Sequence, residues 1–296
     1  MEAVAGVGAL HVTSFDVKPP VGSETVHPMK PAFMLWQKIS IYRLLAERQR
    51  LHWTMAFLRS LLARVSTFEQ GTLAAIVASM LLIVGVATLA SEVRDGQTRV
   101  FDERILLLFR DATNPAVALG PTWLKEAMRD ITALGGTTVL SIIVLGVTGF
   151  LAVSGLRYSA LMVIASVLSG VVLSSVLKAG FARSRPELVP HDVAVYTASF
   201  PSGHAMLSAV VYLTLGALLC RTQSSRAVKA YILSFAVFLT VVVGISRVFL
   251  GVHWPTDVIA GWLLGSIWAI LSWSLMQWLQ RRGGVEPVQP DSKGKV

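Results

Sequence analysis

The chain has 296 residues, of which 54% are hydrophobic and only 15% are charged, and its mean hydropathy is +0.63. Soluble domains carry about 25% charged residues, so this composition indicates a membrane protein rather than a soluble one. The formal net charge of +9 predicts an anionic partner, either a lipid bilayer surface or a phosphate-bearing substrate. Nucleic acid is not expected as a partner, because the sequence offers no soluble basic domain to bind it.

The N-terminal part of the chain is predicted to lie outside the membrane core. No cleavable signal peptide is expected, because the first 30 residues lack a basic start followed by an apolar core. Residues 1–30 are predicted to form a mobile tail. The segment 31–70 combines helical apolar spacing with several arginines, which predicts a basic amphipathic helix. That helix either lies on the membrane surface or packs on the rest of the protein.

Six apolar segments follow, each close to the ~20 residues that cross a ~30 Å hydrocarbon core. They occupy residues 72–90, 137–154, 158–178, 204–220, 230–246 and 258–279. They lack the alternation of barrel strands, and only helices or closed barrels span membranes. The predicted fold is therefore all-α, an integral membrane bundle of six transmembrane helices over residues 71–280. We expect 281–296 to be a cytoplasmic tail.

The long loop 91–136 is predicted to contain two short surface helices. The first carries an apolar stripe of Phe101, Ile105, Leu108 and Phe109, and a second stripe begins at Trp123. The single cysteine of the chain, Cys220, excludes an intramolecular disulfide and a thiolate metal cluster.

The first polar group lies at the end of the third apolar segment. Lys178 ends that segment, and Arg185 follows seven residues later, before a proline that blocks helix continuation. Two cations at this place can bracket an oxyanion. The alternative is that both are basic residues that snorkel to the membrane interface.

The second polar group, Pro201-Ser202-Gly203-His204, opens the fourth apolar segment. A helix start presents free backbone N–H groups and the positive end of the helix dipole, so it can bind phosphate. Gly203 lets a ligand approach the backbone, Ser202 can cap or donate, and His204 can exchange protons. The alternative is a helix N-cap with an incidental histidine.

The third polar group contains Arg247, His253 and Asp257. Pro255 suits the first turn of a helix, which places His253 just before the sixth helix and Asp257 in its first turn. The carboxylate can then accept from one imidazole N–H and leave the other nitrogen as a nucleophile or base. The alternative is a capping aspartate beside an interfacial histidine.

One phosphate site explains all three groups together. Lys178, Arg185 and Arg247 supply positive charge for the phosphoryl oxygens, and phosphoryl transfer depends mostly on positioning and electrostatic stabilisation. Two histidines allow an attacking group and a leaving-group acid in line. No metal or other cofactor is expected, because the groups contain no carboxylate cluster for Mg²⁺.

These motifs resemble a known signature. In chain order they are Lys178-x6-Arg185-Pro186, Pro201-Ser202-Gly203-His204 and Ser246-Arg247-x5-His253-x3-Asp257. They are similar to the three-part signature of the type-2 phosphatidic acid phosphatases, whose relatives include bacterial phosphatidylglycerophosphate and undecaprenyl pyrophosphate phosphatases and the vanadium-dependent haloperoxidases. Every signature position is matched, and the six-helix plan extends the resemblance over roughly residues 72–279.

The resemblance implies a role for each residue. His253 would attack phosphorus and become phosphohistidine, Asp257 would orient it, and His204 would protonate the leaving oxygen and then activate water. The phosphoryl oxygens would be held by Lys178, Arg185, Ser202, Gly203 and Arg247. The implied activity is a membrane phosphatase that hydrolyses a lipid phosphate or diphosphate, such as phosphatidate, phosphatidylglycerophosphate or a prenyl diphosphate.

Other functions are weighed against the same features. Undecaprenyl diphosphate phosphatase is an alternative within the same chemistry. A haloperoxidase of this kind would be soluble, which the six spans argue against. An anion transporter would place polar groups in the middle of its spans, whereas here they cluster at span ends. A non-catalytic lipid-binding relative would have lost a histidine or the aspartate, and both histidines and the aspartate are present.

The distribution of charge predicts the orientation in the membrane. The three motifs must share one face, so the remaining loops and both termini share the other. The terminal face is basic, with Arg157, Arg221, Arg226, Lys229, Arg281 and Arg282. In the long loop on the motif face, acidic residues outnumber basic ones. By the positive-inside rule, the termini are cytoplasmic and the site faces outward from the inner membrane of a bacterium.

Overall fold

The computed structural model describes residues 70–189 and 197–283, and within these ranges the regular secondary structure is entirely helical. The helices are α1 (Gln70–Arg94), α2 (Arg99–Leu107), α3 (Thr122–Ala133), α4 (Thr137–Val153), α5 (Arg157–Phe181), α6 (Gly203–Arg221), α7 (Arg226–Phe249) and α8 (Pro255–Arg281). The predicted tail 1–30, almost all of the amphipathic segment 31–70 and most of the C-terminal tail lie outside the described residues.

The chain is a multi-pass membrane protein. Helices α1, α5, α6, α7 and α8 are each long and apolar enough to cross a bilayer. The second predicted span is different, because α4 has only 17 residues and continues from α3 across a bend of 46° at the Gly135–Gly136 turn. The described residues therefore provide five spans, or six if the bent pair crosses as one, which confirms the all-helical plan.

The apolar stripe predicted for the first surface helix does not mark its buried face. Phe101 is 48% exposed and Leu108 is 68% exposed. The buried residues of α2 are Asp102 and Leu106, which lie four positions apart and so share one face of a helix. In a protein surrounded by lipid, an apolar stripe does not identify the core, because lipid tails are as apolar as leucine.

Helix α6 is the most buried of the spanning helices, and it packs closely on α8. A Cβ atom at Gly265 would lie 2.5 Å from the Ala209 Cβ and from the Met206 carbonyl oxygen, and one at Gly261 would lie 2.8 Å from the Ser202 carbonyl oxygen. Glycine is needed at these places because the two backbones approach too closely for a side chain. This packing fixes the beginning of α6 against the beginning of α8.

The polar motifs meet at one end of the bundle. Lys178 lies in the last turn of α5, Arg247 lies in the last turn of α7, and α6 and α8 both begin at this end. Helix α5 stops because Ala182 adopts a left-handed conformation with φ of 45°, and an extended segment leads on to Arg185. In the described part of the chain, the candidate site residues therefore lie at or near helix ends.

Candidate active site

Two of the predicted cations are held by neutral acceptors. Lys178 Nζ donates to the Ala198 carbonyl at 2.8 Å and to Thr197 Oγ1 at 3.2 Å. Arg185 Nε donates to the Thr197 carbonyl at 2.9 Å, and its Nη1 donates to the Val252 carbonyl at 2.6 Å. Carbonyl and hydroxyl oxygens hold the two side chains in place without cancelling their charge. Both cations therefore stay available to an anion.

The third predicted cation, Arg247, is almost completely buried, with 4% of its surface exposed. Its Nη1 donates to Thr132 Oγ1 at 2.9 Å. Among the described residues its Nε has no hydrogen-bond partner, and the buried hydroxyl of Ser202 has none either. Burying polar groups without partners is costly, so these two groups indicate that the site binds a ligand with acceptor oxygens.

The beginning of α6 lies beside Lys178. A Cβ atom at Gly203 would come 3.4 Å from the Lys178 Cε and 3.9 Å from its Nζ. The absence of a side chain at this position leaves the lysine next to the first N–H groups of α6, which have no partner within the helix. An anion placed here meets a lysine, a serine hydroxyl and the positive end of a helix dipole together.

His253 is 1% exposed, and its two ring nitrogens have different surroundings. Nδ1 lies 3.5 Å from Asp257 Oδ2 and 3.4 Å from Ser199 Oγ. Nε2 lies 3.2 Å from Arg185 Nη1, a donor. The acceptors on the Nδ1 side favour the tautomer with hydrogen on Nδ1, and the lone pair of Nε2 then faces the cations. Contacts near 3.5 Å are long for hydrogen bonds, although such contacts often tighten when substrate binds.

The pKa of His253 favours the same chemical form. Burial lowers the pKa to about 4, against the raising effect of the hydrogen bond and charge of Asp257, while the charges of Arg185 and Arg247 add to the lowering. The imidazole is therefore neutral at physiological pH. A neutral imidazole that carries a lone pair on Nε2 is the form that can act as a nucleophile.

The carboxylate of Asp257 accepts hydrogen bonds from several groups of the site. Its Oδ2 accepts the backbone N–H of Trp254 at 2.9 Å, which caps the first turn of α8, and it also accepts a short hydrogen bond from the Ser199 hydroxyl. Its Oδ1 accepts from Arg183 Nη1 at 2.6 Å. Neither Ser199 nor Arg183 was predicted as a site residue.

A second buried carboxylate lies behind Asp257. Asp102 of α2 is fully buried and accepts from Arg183 Nη2 at 2.8 Å. It also accepts the N–H of Thr256 at 2.9 Å, the Thr256 hydroxyl at 2.7 Å and the Thr98 hydroxyl at 3.1 Å. From the sequence, Asp102 was counted only among the acidic residues of the long loop. The sequence pattern that could have indicated its burial is its place four positions before Leu106 on a short helix, and that pattern is weak.

His204 lies in the first turn of α6, against the turn that joins α3 and α4. A Cβ atom at Gly136 would lie 3.8 Å from His204 Nε2. Arg247, Lys178 and the ring of His253 lie close enough to this imidazole to act on it electrostatically. The structure thus brings all eight predicted residues to one place, namely Lys178, Arg185, Ser202, Gly203, His204, Arg247, His253 and Asp257. Within the described ranges, no three His, Cys, Asp or Glu side chains are arranged to hold a metal ion.

A polar cavity adjoins the cation cluster. Its volume is about 420 Å³, and it is lined by Arg185 together with Arg183, Glu103 and Trp254. Small-molecule sites commonly enclose about 300–1,000 Å³. The cavity can therefore hold the polar part of a ligand whose phosphate lies among the cations.

Comparison with known proteins agrees with this geometry. The chain is 34% identical over 155 residues to phosphatidylglycerophosphatase B of Bacillus subtilis (strain 168), an alignment that covers 51% of this chain and 74% of that protein. The chain belongs to the PAP2 superfamily. The model of that superfamily matches residues 159–281, which include every residue of the three motifs.

Two further relatives support the PAP2 assignment. The crystal structure of a transmembrane PAP2-type phosphatidylglycerolphosphate phosphatase from Bacillus subtilis superposes with a TM-score of 0.61 and 28% identity, covering 69% of this chain and 98% of that one. Undecaprenyl-diphosphatase of Sulfolobus acidocaldarius is 42% identical over 74 residues, which are 25% of this chain and 32% of that protein. The fold of this PAP2 chain is therefore that of a transmembrane phosphatase.

The lowered pKa of His253 predicts how stability depends on pH. Between its ordinary pKa of 6.5 and its folded value of about 4, the unfolded chain binds a proton that the folded protein does not. Protonation of His253 should therefore leave the free energy of unfolding unchanged above about pH 6.5. Below that pH, the free energy of unfolding should fall as the pH is lowered toward 4. We expect the thermal midpoint in detergent to fall less between about pH 7.5 and about pH 5 in His253→Gln than in the wild type. Parallel pH curves for the two proteins would contradict the burial argument.

Proposed function

We propose that this PAP2 protein hydrolyses a phosphate or diphosphate ester of a membrane lipid through a covalent phosphohistidine on His253. The observation that carries the proposal is a group of cations without carboxylate partners around a neutral imidazole. In the part of the chain that the structure describes, no carboxylate forms an ion pair with Lys178, Arg185 or Arg247, and Ser202 Oγ has no partner. A phosphoryl group supplies the missing negative charge and acceptor oxygens.

The first chemical step transfers the phosphoryl group to the enzyme. The lone pair of His253 Nε2 forms a bond to phosphorus while the ester P–O bond breaks. The leaving oxygen takes a proton from His204, which acts as general acid. The imidazole of His253 becomes positively charged, and the carboxylate of Asp257, next to Nδ1, stabilises that charge.

The second step regenerates the enzyme. His204, now neutral, takes a proton from water, and the resulting hydroxide attacks phosphorus. The P–N bond breaks, His253 returns to its neutral form and inorganic phosphate leaves. Through both steps the cations, the Ser202 hydroxyl and the first N–H groups of α6 hold the equatorial oxygens. Such preorganised donors stabilise the charge that develops in the transition state.

The position of the site favours a lipid substrate. The catalytic groups lie at the ends of apolar spanning helices, where a lipid presents its phosphate while its tails remain in the bilayer. The cavity that adjoins Arg185 offers room for the head group. Relatives are named for phosphatidylglycerophosphate and for undecaprenyl diphosphate. We favour a lipid phosphomonoester such as phosphatidylglycerophosphate or phosphatidate, with undecaprenyl diphosphate as the second candidate.

The function is tested by turnover of a panel of lipid phosphates by the purified protein and its variants. His253→Ala and His204→Ala should each lose at least about 10²-fold in kcat, because each removes a group that acts on the phosphoryl group, and Asp257→Asn should lose much of it. Asp130→Asn, on the exposed surface of α3, is the matched control and should behave as the wild type. Full turnover by a folded His253→Ala protein, or faster hydrolysis of a water-soluble sugar phosphate than of every lipid, would refute the proposal.

We also propose that the site faces outward from a bacterial inner membrane. At the opposite end of the bundle, the described helix ends and loops carry Arg157, Arg221, Arg226, Lys229, Arg281 and Arg282 and no acidic residue. Basic residues of this kind are retained in the cytoplasm. The lipid would then be hydrolysed in the outer leaflet.

Reporter fusions test this orientation. A reporter that is active only outside the cytoplasm should be silent when fused after residue 225 and active when inserted within residues 111–120. A reporter that is active only in the cytoplasm serves as the reciprocal control. The opposite pattern would invert the topology and move the reaction to the cytoplasmic leaflet.

A further inference from the structure

Arg183 differs from the other cations at this end of the bundle in what it binds. Lys178, Arg185 and Arg247 donate to carbonyl and hydroxyl oxygens. Arg183 instead bridges two carboxylates, with Nη1 2.6 Å from Asp257 Oδ1 and Nη2 2.8 Å from Asp102 Oδ2. Its charge is therefore compensated within the protein, and it is poorly suited to bind a phosphate.

Both carboxylates depend on this one guanidinium. The side chains of Asp102 and Asp257 have no exposed surface, and a buried carboxylate without a cation is strongly unfavourable. The planar fork of arginine can donate to two separate acceptors at once, which the single ammonium of lysine does less well. Arg183 thus links Asp102 of α2 to Asp257 of α8.

Thr256 completes the connection. Its hydroxyl accepts from Arg183 Nη1 at 2.9 Å and donates to Asp102 Oδ2 at 2.7 Å, while its backbone N–H donates to Asp102 Oδ1 at 2.9 Å. Arg183 also lies over the Trp254 ring, 5.7 Å from its centroid. Arg183 and Asp102 therefore hold the start of α8 at Trp254, Thr256 and Asp257.

We propose that Arg183 and Asp102 are positioning residues that fix the carboxylate of Asp257 for the phosphohistidine reaction. The inference rests on the proposed function. Arg183 occupies Oδ1 of Asp257, which leaves Oδ2 for the His253 side, where Trp254 N–H and the Ser199 hydroxyl also donate. Asp102 in turn fixes the plane of the guanidinium. Without this arrangement the carboxylate can rotate away from Nδ1 of His253.

The position of Arg183 and Asp102 predicts which kinetic constant changes when either residue is replaced. Asp257 matters most when phosphorylation makes the His253 ring positive, which happens after substrate has bound. Arg183 borders the cavity beside Arg185, but its guanidinium is bound by two carboxylates and is only 17% exposed. The phosphoryl oxygens are held in this proposal by Lys178, Arg185 and Arg247. Loss of the pair should therefore lower kcat and leave KM nearly unchanged, which is the mark of an interaction made in the transition state.

The first test compares Arg183→Gln and Asp102→Asn with the wild type and with Arg104→Gln on the lipid phosphate that the wild type hydrolyses best. Arg104 lies on α2 close to Asp102, it is exposed, and it does not line the cavity beside Arg185, so it is the matched control. We expect kcat to fall about 10- to 100-fold with KM within about twofold, since small misplacements of a catalytic group have such effects. Arg183→Lys should recover part of the loss.

A double-mutant cycle separates positioning from a general structural role. If Arg183 acts through Asp257, Arg183→Gln should cost less than about twofold when added to Asp257→Asn, because the group it positions has already been changed. Independent, multiplying losses would overturn the inference, and so would a raised KM with unchanged kcat. Thermal midpoints identify unfolded variants, and Arg183→Lys decides the question if Asp102→Asn does not fold.

The outcomes also separate this inference from the function on which it rests. If the wild type hydrolyses a lipid phosphate and the Arg183 and Asp102 variants match Arg104→Gln, the positioning role alone is wrong. If the folded wild type hydrolyses no lipid phosphate or diphosphate, the proposed function fails and the positioning role fails with it.

Discussion

The rest of the site depends on the hydrogen bonds of one buried residue, Asp257. Its carboxylate caps α8 through Trp254 N–H, receives Arg183 and the Ser199 hydroxyl, and lies next to the His253 ring. Its backbone carbonyl accepts the N–H of Ser202 at 2.9 Å, just before α6 begins. One residue thereby helps to position the proposed nucleophile His253, the start of α6 and the first turn of α8. A carboxylate buried so completely is tolerated only because donors surround it.

The electrostatic arrangement divides the arginines of the site into two kinds. Arg183 is neutralised by carboxylates and stabilises the structure. Arg185 is partly buried and Arg247 is almost fully buried, yet they donate to neutral oxygens of Val252 and Thr132, so their charge is left for a ligand in the proposed function. Keeping a cation buried without an anion costs several kcal/mol by general estimates. In the proposed reaction, that cost is recovered when a phosphoryl group binds among these cations.

The motif residues could be identified as site candidates from the sequence alone. The residues that hold them in place could not. Lys178, His204 and His253 stand in short local patterns beside helix ends, and local patterns can be recognised in one sequence. Asp102 meets Thr256 across 154 positions and Arg183 across 81, and no periodicity reports a contact of that range. The stripe on α2 did not reveal its buried face for a related reason, since lipid and core both accept an apolar stripe. The bend at Gly135–Gly136 likewise depends on packing against His204 and Val243.

The central claim is that the phosphoryl group passes through a covalent bond to His253. It is tested most directly by mixing the purified protein with a lipid phosphate that carries a radiolabelled phosphoryl group, quenching rapidly in base and locating the label. The account predicts acid-labile label on the peptide that contains His253, and none in His253→Gln. Label on another side chain, or wild-type turnover with the same label retained in His253→Gln, would contradict the account.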